Sequence, residues 1–201
     1  ITSTGLAKFI EEKGGVHHRF KRGYRNVINE SIRLNNEGIS SPLAMETSGH
    51  GALRENYFLD DGAYLSAKMV IQAARLRKQG KTLADMLAGM GEPAEAAELR
   101  FKIAGENFGD YGRGVVADLL TYAQQQNWQI APDNHEGVRV AFDGEGMVGW
   151  LLLRLSLHDP IMPLNIESDD LGGVKKIAAQ LLPFLQKYDR LDISALTKLL
   201  A

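Results

Sequence analysis

The sequence contains no cysteine among its 201 residues. Disulfide bonds, thiol nucleophiles and cysteine metal ligands are therefore excluded, and the composition fits a reducing compartment, so we expect a cytoplasmic location. No apolar run approaches the roughly 20 residues that a membrane-spanning helix needs. The net charge of −2 also lacks the basic excess that is typical of nucleic-acid-binding proteins. We therefore expect neither a membrane nor a nucleic acid as a partner.

The five histidines do not form a recognisable metal-binding motif. His17 and His18 are adjacent, so on a strand their side chains would point in opposite directions. His50, His135 and His158 are widely separated, without the spacing of a helical zinc motif. The sequence also lacks the Gly-x-Ser-x-Gly elbow of serine hydrolases. We expect no metal ion bound by this chain.

Hydrophobic residues make up 44% of the sequence and charged residues 24%, which is typical of a globular protein with a substantial core. At roughly 150 residues per domain, the length suggests one large domain or two small ones. The chain begins at Ile1, and its first residues resemble the end of a strand that turns into a helix. We interpret the chain as a piece of a longer protein and expect a strand before Ile1.

Helix and strand patterns alternate along residues 1–92, which predicts an α/β layered domain. Helical periodicity is found in four segments, and strand-like patterns in two: helices near residues 6–10, 26–35, 60–76 and 82–90, and strands at 16–20 and 42–47. Asp60 or Asp61 can cap the third helix. Its buried stripe is expected at four apolar positions: Leu65, Met69, Ala73 and Leu76.

The pattern changes after Glu92-Pro93, which we take as the boundary between a domain of residues 1–92 and a domain of residues 93–201. The second domain shows strands at 99–104, 138–142, 147–155 and 162–167, and helices near 115–123, 174–188 and 191–200. Asp143-Gly144 favours a tight hairpin, and Pro183 a kink or break. This order predicts an α+β domain with helices on one face of an antiparallel sheet.

The first candidate binding segment is residues 44–51, where a predicted strand runs into small and polar residues. Strand ends in α/β domains face the crevices in which ligands bind. Glu46 can accept hydrogen bonds from two neighbouring hydroxyls, and Ser48 can donate or accept one. The alternative is an ordinary loop with a capping serine.

The second candidate segment is residues 151–160, where an apolar strand delivers Arg154 and Ser156 to the same face. A guanidinium group, a hydroxyl and the free amides of a turn can together hold a phosphate. The alternative is an arginine paired with Asp159 or another carboxylate. A third segment places Lys21, Arg22 and Arg25 at the start of a helix, where they could bind an anion. The alternative is an ordinary charged turn exposed to solvent.

Taken in order, these segments resemble the α-D-phosphohexomutases, the phosphoglucomutase and phosphomannomutase family. Residues 46–50, Glu-Thr-Ser-Gly-His, are similar to the sugar-recognition loop, commonly Gly-Glu-Glu-Ser-Gly-His. Residues 60–62 resemble the Asp-Gly that follows it, and residues 23–27 the turn where a cation meets the substrate. Residues 154–156, Arg-Leu-Ser, resemble the start of the phosphate-binding loop, usually Arg-x-Ser-Gly-Thr-Glu-Pro.

The resemblance implies the C-terminal half of an enzyme with four domains: most of the third, a partial three-layer α/β/α domain, and a fourth α+β domain similar to the TATA-binding protein. In the family, a phosphoserine of the first domain transfers the phosphoryl group, assisted by Mg²⁺ in the second. A glucose 1,6-bisphosphate-type activator is possible. The chain would thus hold a hexose phosphate beside the missing N-terminal domains, and would be inactive alone.

Residue by residue, the resemblance implies that Glu46, Ser48 and His50 bind the sugar, with Arg25 as an additional cation. Four residues would contact the phosphate: Arg154, Ser156, Leu157 and His158. Leu157, His158 and Asp159 replace the usual Gly-Thr-Glu, so the loop is expected to differ in shape from the family pattern.

A dual phosphomannomutase/phosphoglucomutase is the activity that we expect for the full-length protein, and a phosphoglucosamine mutase is an alternative. Two further alternatives belong to other classes: a non-catalytic module that binds carbohydrate phosphates, and a structural interaction domain in which both loops are incidental.

Overall fold

The computed structural model describes residues 1–132 and 134–201. Its contacts divide the chain into two units, one of residues 1–2 and 6–91 and one of residues 3–5 and 92–201. Among the described residues, no helix has both the length and the apolar character required to cross a membrane.

The first unit contains a small sheet and several helices. Its elements in chain order are α1 (Thr4–Glu12), α2 (Tyr24–Asn36), β1 (Leu43–Met45), β2 (Gly51–Leu53), a 3₁₀ turn (Arg54–Asn56), α3 (Gly62–Arg77) and a second 3₁₀ turn (Ala84–Leu87). Strands β1 and β2 pair antiparallel, with Met45 opposite Gly51. Helix α2 packs against this sheet, and α1 begins in residues 3–5, which belong to the second unit. The first three predicted helices are therefore confirmed, whereas the fourth, predicted at 82–90, is only a 3₁₀ turn.

Helix α3 is capped at its N-terminus by Asp61, one of the two predicted capping residues. The carboxylate of Asp61 accepts a 2.9 Å hydrogen bond from the backbone N–H of Tyr64, and this bond holds the pKa of Asp61 below its usual value. The predicted buried stripe is wrong in part. Leu76 is buried, whereas the Met69 side chain is 52% exposed.

The predicted strand at residues 16–20 is wrong, because these residues form no regular secondary structure. Side chains hold the segment instead of a β-ladder. Nε2 of His18 lies 2.9 Å from Oε1 of Glu30 on α2, and Nε of Arg19 donates to the Thr2 hydroxyl at 3.0 Å. A strand-like pattern needs a neighbouring strand with which to exchange backbone hydrogen bonds, and the pattern cannot report whether one is there.

The second unit is an antiparallel sheet with helices. Its elements are β3 (Glu95–Ile103), α4 (Phe108–Gln125), β4 (Gln129–Ile130), β5 (Gly137–Phe142), β6 (Gly149–Arg154), β7 (Ile161–Ser168), α5 (Gly173–Leu185), β8 (Leu191–Asp192) and α6 (Ser194–Leu200). The strands lie in the order β4-β5-β6-β7-β3-β8. All the paired strands of this sheet are antiparallel, as predicted.

The core of the second unit lies on one face of the sheet. Alternate residues of the central strands, such as Leu151, Leu153 and Leu164, are fully buried in one cluster. Leu119 of α4, Ile177 of α5 and Leu196 of α6 belong to the same cluster, so all three helices cover this face. The predicted α+β arrangement is therefore confirmed.

Three details of the second unit differ from the sequence-based expectations. Residue 142 pairs with residue 149, so the hairpin between β5 and β6 is a six-residue connection rather than a tight turn at Asp143-Gly144. Helix α5 continues through Pro183 to Leu185. The short strands β4 and β8 were not predicted, because two residues carry no alternating pattern.

Candidate functional site

The loop between β1 and β2 brings together residues 46–50. The backbone N–H of Glu46 donates to the carbonyl of His50 at 2.9 Å, and the N–H of Gly49 donates to the carbonyl of Glu46 at 3.0 Å. Gly49 has φ +93°, a conformation that glycine adopts readily, which closes the turn. The sequence predicted a strand at 42–47 but not β2, so the hairpin itself is a finding of the structure.

Glu46 is held at both carboxylate oxygens. Its Oε1 accepts a 2.7 Å hydrogen bond from the backbone N–H of Gly23, at the start of α2. Its Oε2 accepts a 3.3 Å hydrogen bond from the Ser48 hydroxyl. A carboxylate has about four acceptor positions, so these two bonds orient Glu46 and leave further positions for hydroxyl groups of a ligand.

The imidazole of His50 is fixed from two directions. Its Nδ1 lies 2.7 Å from Oδ2 of Asp60. Its ring stacks on the Tyr24 ring, with the centroids 5.1 Å apart and the planes inclined by 26°. Arg25 joins the same group, because its Nε donates a 3.2 Å hydrogen bond to the Tyr24 hydroxyl. The structure thus places Arg25, predicted as an additional cation, beside Tyr24 and His50.

The second candidate site is the loop of residues 155–160 in the second unit, which joins the neighbouring central strands β6 and β7. Arg154 is the last residue of β6 and is partly buried. The loop closes on itself, since the N–H of Ser156 donates to the carbonyl of Ile161 at 3.0 Å. The N–H of Asp159 donates to the Ser156 hydroxyl oxygen at 3.3 Å, which leaves the hydroxyl able to donate its own proton.

Leu157 and His158 lie at the tip of this loop. Leu157 is 78% exposed, so the leucine side chain stands in solvent rather than in the core. His158 is also exposed. An imidazolium at this position can donate to a phosphate oxygen, as can the guanidinium of Arg154 and the hydroxyl of Ser156.

Two glycines allow other backbone segments to approach this loop closely. Gly137 of β5 is paired with Arg154, and a methyl group at position 137 would lie 2.9 Å from Cα of Arg154. Gly112 of α4 packs against the Leu155 side chain, where a methyl group would overlap it. Both contacts fix the start of the loop against the sheet and α4.

Residues 1–92 match the family model described as phosphoglucomutase/phosphomannomutase, alpha/beta/alpha domain III. This match over residues 1–92 supports the α-D-phosphohexomutase family. This is the family that residues 23–27, 46–50, 60–62 and 154–156 indicate by resemblance. The predicted fold class, an α/β/α domain followed by an α+β domain, is confirmed by this match and by the likeness to a solved structure described next.

Two proteins similar to this chain extend the comparison. A probable phosphoglucosamine mutase of Methanocella arvoryzae is 26% identical over 153 residues, which cover 76% of this chain and 31% of the relative. The crystal structure of a phosphoglucomutase/phosphomannomutase family protein of Burkholderia thailandensis has a TM-score of 0.69 and 22% identity. It covers 92% of this chain and 35% of that one, and it supports the fold alone. The chain therefore spans about a third of the length of either relative.

The phosphohexomutase family generally uses Mg²⁺, an ion that proteins usually bind through one or two carboxylates together with waters and substrate phosphates. Within residues 1–132 and 134–201, no group of three or more His, Asp or Glu side chains is placed to hold a metal ion.

Sequence reasoning missed three residues of the first site: Gly23, Tyr24 and Asp60 in its contact with His50. The sequence indicates Asp60 as a possible helix cap and as part of the Asp-Gly that follows the loop, but not as a partner of His50. The pair Asp60-Asp61 could have indicated this contact. One carboxylate suffices to cap the helix, so the other is available for a different partner. Nothing in the local sequence indicates that the Gly23 amide faces Glu46, since 23 positions separate the two residues.

Proposed function

We propose that this chain is the substrate-holding part of a hexose-phosphate mutase, an intramolecular phosphotransferase that interconverts sugar 1-phosphates and sugar 6-phosphates. The observation that carries the proposal is the cluster of Glu46, Ser48 and His50 around a hairpin loop, tied to the start of α2 through Gly23. In this function the loop accepts hydrogen bonds from the hydroxyl groups of the sugar.

The phosphate is assigned to the second unit. Arg154, Ser156 and His158 offer a guanidinium, a hydroxyl and an imidazole on one short loop. A guanidinium binds phosphate through paired, charge-assisted hydrogen bonds, and the hydroxyl and turn amides add neutral ones. Such a loop holds the phosphate that is not reacting, while the rest of the protein supplies phosphoryl transfer.

The length of the chain relative to its relatives suggests which steps of the reaction it performs. The chain spans about a third of its relatives, so we assign to it the binding of substrate, and phosphoryl transfer from a phosphoserine assisted by Mg²⁺ to other parts of the full-length protein. Transfer of a phosphoryl group depends on positioning and on charge stabilisation together. We therefore expect this chain alone to bind sugar phosphates without interconverting them.

We propose glucose and mannose phosphates as the first candidate substrates. Glu46 and Ser48 would form hydrogen bonds with hydroxyl groups that both sugars share. Glucosamine phosphate is the second candidate, favoured by the relative named as a probable phosphoglucosamine mutase. An ammonium or amino group donates hydrogen bonds as hydroxyls do, so the acceptors of Glu46 suit either ligand.

The experiment is a titration of the chain with glucose 1-phosphate, mannose 1-phosphate, glucosamine 1-phosphate and inorganic phosphate, followed by backbone amide NMR shifts. We expect inorganic phosphate to shift residues 154–160, and a sugar phosphate to shift residues 46–50 as well. Weak affinity is expected because the chain spans about a third of the length of its relatives.

Two variants and a control sharpen this titration. Arg154→Ala should weaken all four ligands about tenfold or more, the effect of a lost charged hydrogen bond. Glu46→Gln should weaken only the sugar phosphates. Arg77→Ala removes the same charge from an exposed position in the last turn of α3 and should change nothing. Sugar phosphates that shift neither loop at millimolar concentration would contradict the proposal.

A further inference from the structure

Asp60 makes two different contacts with its two carboxylate oxygens. Oδ1 accepts a hydrogen bond from the backbone N–H of Gly51 at 3.2 Å, and Oδ2 lies 2.7 Å from Nδ1 of His50. A backbone bridge between Ala52 and Asp60 fixes the position from which this side chain starts. The neighbouring Asp61 caps α3, so the cap does not require Asp60.

This arrangement determines the tautomer of His50. An ionised carboxylate can only accept hydrogen bonds, so the nitrogen that it contacts must carry a proton. Nδ1 of His50 is therefore protonated, and in the neutral imidazole the lone pair lies on Nε2. The Tyr24 ring, stacked at 5.1 Å, restrains the plane of the imidazole. Half of the His50 side chain remains exposed.

We propose that Asp60 is a positioning residue for substrate: it holds His50 with the proton on Nδ1, so that Nε2 accepts a hydrogen bond from a hydroxyl of the sugar phosphate. The inference rests on the proposed function, because that function places the sugar at residues 46–50. It adds to the carboxylate of Glu46 a second acceptor on the same loop, which suits a ligand with several neighbouring hydroxyl donors.

The sharpest test exchanges Asp60 for asparagine, which has nearly the same shape. The Gly51 N–H still needs an oxygen, so the amide of Asp60→Asn should turn its NH₂ group toward His50. An NH₂ group can only donate, and the proton of the imidazole should therefore move to Nε2. Long-range ¹H–¹⁵N NMR correlations of the ring nitrogens distinguish the two tautomers directly and require no ligand.

A matched control is Asp85→Asn in the same unit. The carboxylate of Asp85 accepts hydrogen bonds from the backbone N–H and the hydroxyl of Thr82, and no His is among these partners. This control loses the same charge and should leave the His50 tautomer as it is in the wild type. The exposed His158 of the other unit serves as an internal reference in each spectrum.

Binding gives the second readout. With Nε2 turned from acceptor to donor, Asp60→Asn should bind glucose 1-phosphate about three- to tenfold more weakly, the effect of one hydrogen bond. Its affinity for inorganic phosphate should equal that of the wild type. The amide spectrum of the free variant, unchanged outside residues 50–61, shows that it is folded.

The possible failures are distinguishable. A His50 tautomer that is the same in the wild type and in Asp60→Asn overturns the positioning by Asp60, whatever the ligand does. A wild-type chain in which glucose 1-phosphate shifts neither the His50 ring nor residues 46–50 overturns the proposed function. A reversed tautomer with unchanged affinity for glucose 1-phosphate shows that Nε2 does not contact the sugar, and it also overturns the inference.

Discussion

The backbone amide of Gly23 donates a 2.7 Å hydrogen bond to the carboxylate of Glu46. This bond joins the start of α2 to the hairpin loop that we assign to sugar recognition. Gly23 has φ +110°, a conformation that residues with a side chain rarely adopt, and there it directs its N–H at Glu46. The orientation of the Glu46 carboxylate therefore depends on the backbone N–H of Gly23, which has no side chain.

We expect Gly23→Ala to weaken both stability and binding. The new methyl group would lie 2.8 Å from Nδ2 of Asn26, and the backbone would be strained at positive φ. The free energy of unfolding should fall by about 1–3 kcal/mol. Relaxation of the strain should move the amide away from Glu46 and weaken glucose 1-phosphate binding, measured by urea denaturation and by titration.

Gly38→Ala is the control for this change. Gly38 has φ +83°, and a methyl group added there would meet open space, so it carries a similar backbone penalty. The N–H of Gly38 donates to the carbonyl of Asn35 at 3.1 Å and not to Glu46. The variant should lose stability and keep the affinity of the wild type. Equal affinities of Gly23→Ala and Gly38→Ala for glucose 1-phosphate would show that the Gly23 amide does not orient the binding carboxylate.

A second prediction concerns Gly137, which is paired with Arg154 across the sheet. In Gly137→Ala, the methyl group would press on the backbone carbonyl of Leu153 and lie 2.8 Å from Cβ of Arg154. Overpacking of this kind typically costs about 1–3 kcal/mol of stability. We expect a lower denaturation midpoint, together with weaker inorganic phosphate binding because Arg154 is displaced.

The control for Gly137 is Gly114, an exposed glycine of α4 where an added methyl group would touch nothing. Gly114→Ala should raise the free energy of unfolding by about 0.5–1 kcal/mol, because alanine favours a helix interior over glycine. Its phosphate binding should not change. A Gly137→Ala variant as stable as the wild type would mean that the sheet adjusts without strain.

Local pattern was enough to predict the second unit and much of the first. The strands at 138–142, 147–155 and 162–167 were predicted within two residues of their ends, because each is a short segment rich in apolar residues. Residues 16–20 show the limit of this reasoning. Their pattern resembles a strand, but a strand also requires a partner at a distance in sequence, and here His18 binds a helix instead.

The residues of the candidate site could be recognised from the sequence, but their hydrogen-bond partners could not. Glu46, Ser48 and His50 stand close together in the sequence, so one loop could be recognised. The partners that orient two of them, Gly23 and Asp60, come from other segments. Only the folded chain brings these segments together, which is why the positioning of His50 could not be inferred from the sequence.

A third prediction concerns acid stability. The bidentate contact of Arg33, at 2.9 and 2.8 Å, lowers the pKa of the buried Glu30 to about 2 from 4.5, with a further contribution from His18. A lowered carboxyl pKa stabilises the folded state above the unfolded value. That stabilisation should be complete above about pH 5 and should disappear as the pH falls toward 2.

Urea denaturation of the wild type and Glu30→Gln between pH 2 and pH 7 measures this effect. The variant should be less stable at neutral pH, and the difference should shrink as the pH falls through the window from 4.5 to about 2. Glu37→Gln is the control, since Glu37 binds the same Arg33 from an exposed position. If the difference between the wild type and Glu30→Gln does not depend on pH, the contact with Arg33 does not stabilise the fold through the charge of Glu30.

The last prediction separates the two uses of the Ser156 hydroxyl. Within the loop its oxygen accepts from the N–H of Asp159 at 3.3 Å, a long bond that should contribute little to stability. Its proton is assigned to phosphate. We therefore expect Ser156→Ala to weaken inorganic phosphate binding about three- to tenfold, with a change in unfolding free energy below about 1 kcal/mol. Ser156→Thr retains the hydroxyl and should recover most of the affinity. If Ser156→Ala instead lost stability and kept its affinity for phosphate, the hydroxyl would serve the shape of the loop, and the phosphate contact would have to be reassigned to Arg154 and the backbone amides of the turn.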